Sequence, residues 1–333
     1  MILLWSGGGL LCFLFSTVLA VSFGSVNIPL NDIWKVIIHS FYPDVAVDSA
    51  SQAIIWELRF PRVLLSALIG ASLAVAGAVY QGLFQNQLAD PYILGISSGS
   101  AAGAVLGILI GLGTTGTSLS AFIGASVSLY MVLYLASERH HFTVNRLILA
   151  GVIVQSLFGA MVSFCLSISY AQVQTIVYWL LGSFTLATWK QVMITVSFFL
   201  PAFLIAIMLS RQLNILSLGD RRATYLGLSV TRLRLILLLV ASLLTAVSVS
   251  VSGTIGFIGL VVPHMTRHFV GHDHRFLLPS TAIVGAIFTI WVDWISRVVI
   301  APQELPIGVV TAMVGAPFFA FIFKQSRNRR YYA

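Results

Sequence analysis

The amino-acid sequence predicts an all-α integral membrane protein with ten transmembrane helices, and two observations support this fold class. First, 58% of the 333 residues are hydrophobic and only 8% are charged, whereas about a quarter of the residues in a soluble domain are charged. Second, the charged residues lie in short gaps between long apolar runs. This composition excludes a soluble globule, so we expect one membrane domain over residues 1–333.

Ten apolar runs are long enough to cross a bilayer, because a helix rises about 1.5 Å per residue and the hydrocarbon core is about 30 Å thick. They lie near residues 1–23, 62–83, 92–113, 118–137, 146–168, 189–210, 233–252, 254–270, 276–298 and 306–324. We interpret the first run as a retained helix rather than a cleaved signal peptide, because no basic residue precedes it. Residues 24–58 then form an extracytoplasmic loop. The short apolar piece at 174–188 contains Gly182 and predicts a re-entrant or surface helix.

The basic residues orient these helices. With ten spans and both termini in the cytoplasm, 13 of the 18 Lys and Arg residues fall on the inner side. An eleventh span would place the cluster from Arg211 to Arg234 outside, although basic loops usually stay in the cytoplasm. The net charge of +8 therefore indicates loops beside anionic lipid headgroups rather than nucleic-acid binding.

Small residues predict how some helices pack. Glycines recur every four residues from Gly95 to Gly111, and such a stripe lets a neighbouring backbone approach closely. We expect this packing inside one subunit in preference to a dimer seam. Val75-Ala76-Gly77 in the second span and Val251-Ser252-Gly253 in the seventh also suggest an inverted repeat, since the two spans are five positions apart in the order of helices and therefore run in opposite directions.

Several kinds of site are missing from the sequence. No Gly-x-x-x-x-Gly-Lys-Ser/Thr loop is present, so any ATPase would be another chain and this chain is not predicted to be an enzyme. No charged residue lies near the centre of a predicted span, as an ion-coupled secondary transporter, the rival class, would normally require. Histidines 264, 268 and 272 share a helical face without a carboxylate, so we predict no metal site.

The loop at 211–232 is the cytoplasmic segment with the clearest functional pattern. Asp220 can start a short helix, Gly227 can end it, and Ser229 can cap the next span. Such a helix, offering Ala223 and Leu226 between charged neighbours, suits a groove on a partner protein. A plain surface loop is an equally good interpretation of this segment.

Motifs in both halves of the chain resemble the iron-siderophore, haem and cobalamin permease family of ATP-driven importers. They include Arg59-Phe-Pro-Arg62, Gly70-Ala-Ser-Leu-Ala74, Asn86-Gln-Leu-Ala89, Ser217-Leu-Gly-Asp220, Gly253-Thr-Ile-Gly-Phe-Ile-Gly-Leu-Val-Val-Pro-His264 and Glu304-Leu-Pro306. The resemblance covers residues 59–323 and implies a ten-helix permease of the bacterial cytoplasmic (inner) membrane. It also implies a second permease copy or a sister permease, two cytoplasmic ATPase subunits that bind ATP and Mg²⁺, and an extracytoplasmic substrate-binding protein.

The resemblance implies no cofactor on this chain and an iron(III)-siderophore as substrate, with cobalamin and haem as alternatives. It also implies that Arg59, Arg62 and Arg297 dock carboxylates of the binding protein, through the paired hydrogen bonds that guanidinium groups form. For Arg297, an ion pair with Asp293 one helical turn earlier is the alternative.

Two further groups of residues follow from the resemblance. The coupling residues, which would contact the ATPase, are Leu218, Gly219, Asp220, Arg221, Arg222, Ala223, Leu226 and Gly227. The cytoplasmic gate would comprise Thr143, Val144 and Asn145, with a second constriction at Asn86 and Leu88. Gln87 stands where the family usually has a proline, so we expect that constriction to be more mobile here.

Overall fold

The computed structural model describes residues 2–23, 29–42, 47–137 and 143–330, and within these ranges the regular structure is entirely helical. The α-helices are α1 (Ile2–Ser22), α2 (Leu30–Phe41), α3 (Ser49–Gln52), α4 (Phe60–Leu83), α5 (Ile96–Ile110), α6 (Gly113–Ala136), α7 (Val144–Ile168), α8 (Val173–Leu180), α9 (Trp189–Met208), α10 (Ser210–Leu216), α11 (Asp220–Tyr225), α12 (Val230–Ser252), α13 (Ile258–Val270), α14 (His274–Val298) and α15 (Ile307–Arg330). A π-helical turn, Ala53–Arg59, joins α3 to α4.

Each of the ten predicted spans coincides with one helix. Six of the described helices are long and apolar enough to cross a membrane alone, whereas α13 has only 13 residues. The ten-span topology and its orientation therefore remain predictions. Helix α8 has eight residues, too few to cross a bilayer, as expected for the apolar piece at 174–188. The predicted outer loop at 24–58 contains two unforeseen helices, α2 and α3.

Helix α4 lies at the centre of the bundle, and nearly all of its residues are buried. It approaches its neighbours closely at Gly70 and Gly77, because glycine has no side chain to hold them apart. A Cβ atom on Gly77 would lie 1.9 Å from the carbonyl oxygen of Gly259 in α13, and one on Gly70 would lie 2.1 Å from Oγ1 of Thr289 in α14. Contact between backbones is a common way for membrane helices to gain packing energy.

The predicted glycine stripe packs α5 against α6 within one chain. A Cβ atom on Gly99 would lie 2.5 Å from the carbonyl oxygen of Gly124, and one on Gly103 would lie 2.1 Å from that of Ser120. The expectation of close packing inside one subunit is therefore confirmed. The two helices form an antiparallel hairpin, and the connecting Gly111 has a φ of 75°, which favours glycine.

The helices at the periphery expose large apolar side chains. On α7, Leu149, Ile153, Leu157 and Phe164 are each more than half exposed, while Leu147 and Val154 on the opposite face are buried. A soluble protein rarely leaves so continuous an apolar face open to water. This face therefore suits contact with lipid or with another membrane chain.

Candidate functional sites at the two ends of the bundle

The predicted docking and coupling residues lie at opposite ends of the helix bundle. The N-terminal end of α4 meets the C-terminal ends of α1 and α14 at one end, which we name the outer end after its predicted orientation. The C-terminal end of α4 lies beside α10 and α11 at the other, inner end.

Four charged residues form an ion-pair network at the outer end, and we call them the outer cluster: Arg62, Asp293, Arg297 and Glu304. Arg62 donates from Nε to Oδ1 of Asp293 at 2.9 Å and from Nη1 to Oε1 of Glu304 at 2.8 Å. Nε of Arg297 lies 3.1 Å from Oδ2 of Asp293. Asp293 is fully buried, so its charge depends on these two arginines for stabilisation.

The arginines also satisfy the C-terminal end of α1. Arg59 Nη1 donates to the carbonyl oxygens of Val21 at 2.5 Å and Ser22 at 3.2 Å, and Arg297 Nη2 donates to that of Ala20 at 3.2 Å. The last carbonyl groups of a helix have no partner within it, and a cation there also interacts favourably with the helix dipole. Arg59 and Arg297 thus anchor α1 to the outer end.

The exposure of these arginines differs from the sequence-based expectation. We expected exposed docking groups, but Arg59, Arg62 and Arg297 are only 7%, 9% and 7% exposed. That expectation of exposure is wrong, because each guanidinium group bonds carbonyl or carboxylate groups inside the bundle. The alternative partner of Arg297, Asp293, is present. A docking role for the three residues remains a prediction.

Glu304 is the member of the outer cluster that water reaches most easily, with 36% of its side chain exposed. Its Oε2 accepts a hydrogen bond of 2.8 Å from Oγ1 of Thr185. Partial burial raises the pKa of Glu304, but the hydrogen bond and positive charge of Arg62 outweigh it, so the net pKa lies below the ordinary value. Glu304 is therefore a carboxylate at neutral pH.

A cavity of about 830 Å³ opens next to this carboxylate, and we call it the outer cavity. The α5–α6 connection, α8 and the segment leading into α9 form its walls, and Ser183 and Thr185 are among its lining residues. The hydroxyl groups of Ser183 and Thr185 lie 2.8 Å apart. The outer cavity is thereby connected to the outer cluster through Thr185 and Glu304.

At the inner end, α11 confirms the short helix predicted from Asp220 onward. Gly219 precedes it with a φ of 106°, and Gly227 follows it with a φ of 82°, conformations that favour glycine. Oδ1 of Asp220 accepts a hydrogen bond of 2.7 Å from Nη2 of Arg234 in α12, which fixes the start of α11. Ser229 makes no side-chain cap for α12, contrary to the expectation.

The exposed face of α11 also differs from the predicted one. Ala223, which we expected to face a partner, is fully buried against the body of the protein. Leu226, the other residue expected to face a partner, is 62% exposed as predicted, and Tyr225 and Leu218 are 90% and 54% exposed. The surface that α11 offers to a partner is therefore apolar and aromatic, and Arg221 and Arg222 beside it are exposed.

A second cavity, of about 360 Å³, brings the predicted gate and the coupling helix together, and we call it the inner cavity. Its lining residues are Phe84, Gln85, Thr143, Val144, Asn145 and Asp220. The three gate residues, which stand at the start of α7, are therefore close to the first residue of α11. The other two predicted gate residues, Asn86 and Leu88, do not line it; they form an exposed turn in which Asn86 Oδ1 accepts from the Leu88 amide at 2.9 Å.

The connection between α4 and α5 holds functional candidates that the sequence analysis missed. Gln85 has a positive φ of 50°, and its Nε2 donates to the carbonyl oxygen of Leu216 at the end of α10 at 3.2 Å. Tyr92 Oη donates to the carbonyl oxygen of Ile255 at 2.8 Å. Burial raises the pKa of Asp90 to about 6. The sequence analysis singled out Asn86, Gln87 and Leu88 in this connection but not these three residues, because the positive φ of Gln85 and the contacts of Tyr92 appear only in the folded chain.

Arg267 is a buried cation that links two helices of the bundle. The residue lies in α13, is 9% exposed, and donates from Nη1 to Oε1 of Gln81 in α4. Gln81 in turn donates to the carbonyl oxygens of Gly259 and Leu260 at 3.3 Å. A buried arginine without a hydrogen-bond partner would be costly. The bonds of Gln81 to α13 supply that partner and link α4 to α13.

Comparison with known proteins identifies the family. The model of the FecCD transport family matches residues 11–325. The ABC transporter permease protein YvrB of Bacillus subtilis is 42% identical over 95% of this chain and 92% of its own length. The cobalamin import system permease protein BtuC of Halobacterium salinarum is 39% identical over 85% of this chain and 76% of its own length.

Further relatives are named as permease proteins for hemin in Yersinia pestis, molybdate in Haemophilus influenzae and iron(3+)-hydroxamate in Bacillus subtilis. A solved structure described as an inward-facing metal-chelate type ABC transporter matches with a TM-score of 0.84 and 34% identity, and the match covers 96% of this chain and 98% of the other. Sequence and fold agree along nearly the whole length, and the chain belongs to the FecCD transport family.

Proposed function

We propose that the chain is the membrane-spanning permease subunit of an ATP-driven importer that receives its substrate from an extracytoplasmic binding protein. The inner cavity is the observation that carries this proposal. Asp220, the first residue of α11, shares that cavity with Thr143, Val144 and Asn145. An ATPase that moves α11 through its exposed Tyr225 and Leu226 would therefore act directly on the residues that start α7.

The proposal extends to the topology and the partners. The chain would cross the bacterial cytoplasmic membrane ten times with both termini inside, and it would pair with a second copy or a sister permease along an exposed apolar face such as that of α7. Two ATPase subunits would bind ATP and Mg²⁺. An iron(III)-siderophore is the proposed substrate, and cobalamin and haem are the alternatives, because relatives are named for several of these cargoes.

An ion-coupled secondary transporter is the second candidate. Such a transporter needs buried ionisable residues that gain and lose an ion during the cycle. Among the described residues, the fully buried carboxylate Asp293 is held by Arg62 and Arg297, and Arg267 is bonded to Gln81. These groups serve as structural pairs, which favours a permease that relies on ATP bound elsewhere.

Replacement of Leu226 by glutamate tests the proposal. Leu226→Glu introduces a charge into the apolar surface of α11, and burial of that charge against an ATPase would be costly. We expect ATP-driven uptake in proteoliposomes, with the ATPase and binding protein present, to fall by about tenfold or more, which corresponds to 1.4 kcal/mol or above. Thr231→Glu, which adds the same charge in the first turn of α12, should leave uptake unchanged.

Two results would contradict this proposal. Uptake driven by a proton or sodium gradient without ATP would favour the secondary transporter. Normal ATP-driven uptake by Leu226→Glu would mean that α11 does not transmit the movement of an ATPase.

A further inference from the structure

We propose that Asn214 is a positioning residue through which a movement of α11 reaches the outer end of the bundle. This inference rests on the proposed function and adds a route by which an ATPase at the inner end acts on the outer cluster. Asn214 lies in α10, the helix of seven residues that comes just before α11. All of its side-chain hydrogen bonds described by the structure go to the start of α14.

The Asn214 carboxamide bonds α10 to α14 with both of its polar atoms. Its Nδ2 donates to Oδ1 of Asp273 at 2.7 Å. Its Oδ1 accepts from the backbone amide of His274 at 2.9 Å and lies 2.7 Å from Nδ1 of the same residue. Because a carboxamide oxygen only accepts, Nδ1 of His274 is the donor in that contact. Neither leucine nor aspartate, which are similar in size to asparagine, can make all three bonds.

Helices α10 and α11 are joined by a short, hydrogen-bonded connection. Only residues 217–219 separate them. The backbone amide of Gly219 donates to the carbonyl oxygen of Leu216 at 3.0 Å, and the amide of Ala223 donates to the carbonyl oxygen of Gly219 at 3.0 Å. The hydrogen bonds therefore continue from one helix into the next, and a displacement of α11 is passed to α10.

Helix α10 also packs against the inner end of α4. A Cβ atom on Gly82 of α4 would lie 2.9 Å from Nε2 of His274 and 2.9 Å from Cδ1 of Leu213, so α4, α10 and α14 meet at this glycine. Leu213 is fully buried and His274 is 5% exposed. A packed interior has little free space, so a shift of α10 displaces the inner ends of α4 and α14 together.

Helices α4 and α14 extend from this contact to the outer cluster. Helix α14 has 25 residues, a length of about 37 Å, and it carries Asp293 and Arg297 near its outer end, where they meet Arg62 of α4. A Cβ atom on Gly285 of α14 would lie 2.5 Å from the carbonyl oxygen of Gly70 in α4. Because coupling between distant sites is carried by packed helices and hydrogen bonds, Asn214 links α11 to the outer cluster.

The affinity of the importer for its binding protein measures this link, because docking is proposed at the outer end. The complete importer, with its ATPase subunits, would be placed in lipid nanodiscs, and the Kd of the substrate-free binding protein would be measured with and without an ATP analogue that cannot be hydrolysed. For the wild type we expect the two Kd values to differ by about fivefold or more, as is typical of coupled sites.

Asn214→Ala should bring the ratio of the two Kd values close to one. It leaves Tyr225 and Leu226 in place, so the ATPase subunits should still copurify with the variant. Gln212→Ala is the matched control. It removes a carboxamide from the same helix, but that carboxamide faces the carbonyl oxygens of Met208 and Leu209 at 3.3 Å, so the wild-type ratio should remain.

An exchange of the two polar side chains separates coupling from a loss of folding. Asn214→Asp keeps the size of the side chain but places a carboxylate against Asp273, and like charges in contact repel, so the ratio should again approach one. The double variant Asn214→Asp/Asp273→Asn restores a carboxamide beside a carboxylate with the roles reversed, and it should recover the wild-type ratio. This pair of variants also serves as the test if Asn214→Ala does not fold.

Three results would overturn the inference and leave the proposed function intact: a ratio of one in the wild type, a wild-type ratio in Asn214→Ala, or a double variant no better than Asn214→Asp. A wild-type chain that binds neither the ATPase subunits nor the binding protein would overturn both.

Discussion

Replacement of Arg62 by methionine tests whether the outer cluster holds the bundle together. Methionine keeps an unbranched side chain of moderate length but removes the guanidinium group that bonds Asp293 and Glu304. Asp293 is fully buried, so the substitution leaves a buried carboxylate with one arginine instead of two. We therefore expect Arg62→Met to destabilise the protein markedly.

The size of the effect follows from the burial of each partner. Removing one member of a buried ion pair costs about 3–5 kcal/mol, and the remaining Arg297, 3.1 Å from Asp293, places the cost near the lower limit. The bond to the partly exposed Glu304 adds about 0–1 kcal/mol. The sum is about 3–4 kcal/mol, equivalent to a fall in melting temperature of about 6–12 °C.

Cys165 provides the assay. This cysteine is 5% exposed, so a thiol-reactive fluorophore should label it only when the protein unfolds, in a Cys12→Ser background because Cys12 is exposed. Arg275→Met is the matched control: Arg275 also bonds an aspartate, Asp273, but at an exposed site, where water screens the pair. An Arg62→Met melting temperature equal to that of Arg275→Met would refute a stabilising role for the outer cluster.

Three further substitutions probe packing and pH dependence. Gly103→Ala should destabilise the protein by about 1–3 kcal/mol, because its Cβ would lie 2.1 Å from the Ser120 carbonyl oxygen. Gly159→Ala on α7, where no atom lies within 4 Å of the added Cβ, should stabilise the protein by about 0.5–1 kcal/mol. Equal melting temperatures of the Gly103→Ala and Gly159→Ala variants would contradict the packing argument. The lowered pKa of Glu304 gives stability that is present above pH 4.5, its ordinary value, and is lost as the pH falls through the lower folded value. Glu304→Gln should therefore flatten the melting-temperature profile below about pH 4.5, and an unchanged profile would contradict this assignment.

The sequence predicted where the long helices lie, because an apolar run of about 20 residues is typical of a helix that crosses a bilayer. The glycine stripe of α5 and the helix that begins at Asp220 were also correctly predicted, since both depend on residues close together in the chain. The surroundings of Arg62 were not predicted. Its two carboxylate partners stand 231 and 242 residues away, and no local pattern indicates such a pair.

Short amphipathic segments were the second source of error. Helices α2 and α10 lie in stretches that we interpreted as loops. They have only 12 and 7 residues, fewer than the roughly 20 apolar residues by which a membrane span is recognised. The orientation of α11 was also misjudged: charged neighbours suggested that Ala223 faces outward, yet packing against the body of the protein buries it. Which face of a six-residue helix is buried depends on tertiary contacts rather than on its own composition.

The burial of Arg62 changes how docking of a binding protein must work, if Arg62 takes part. A carboxylate of the binding protein cannot simply add to Arg62, because Asp293 and Glu304 already accept from its Nε and Nη1 atoms. Asp293 is fully buried, so Glu304, which is partly exposed, is the partner that an incoming carboxylate can replace. Since the other oxygen of Glu304 accepts from Thr185, this exchange would also disturb the wall of the outer cavity.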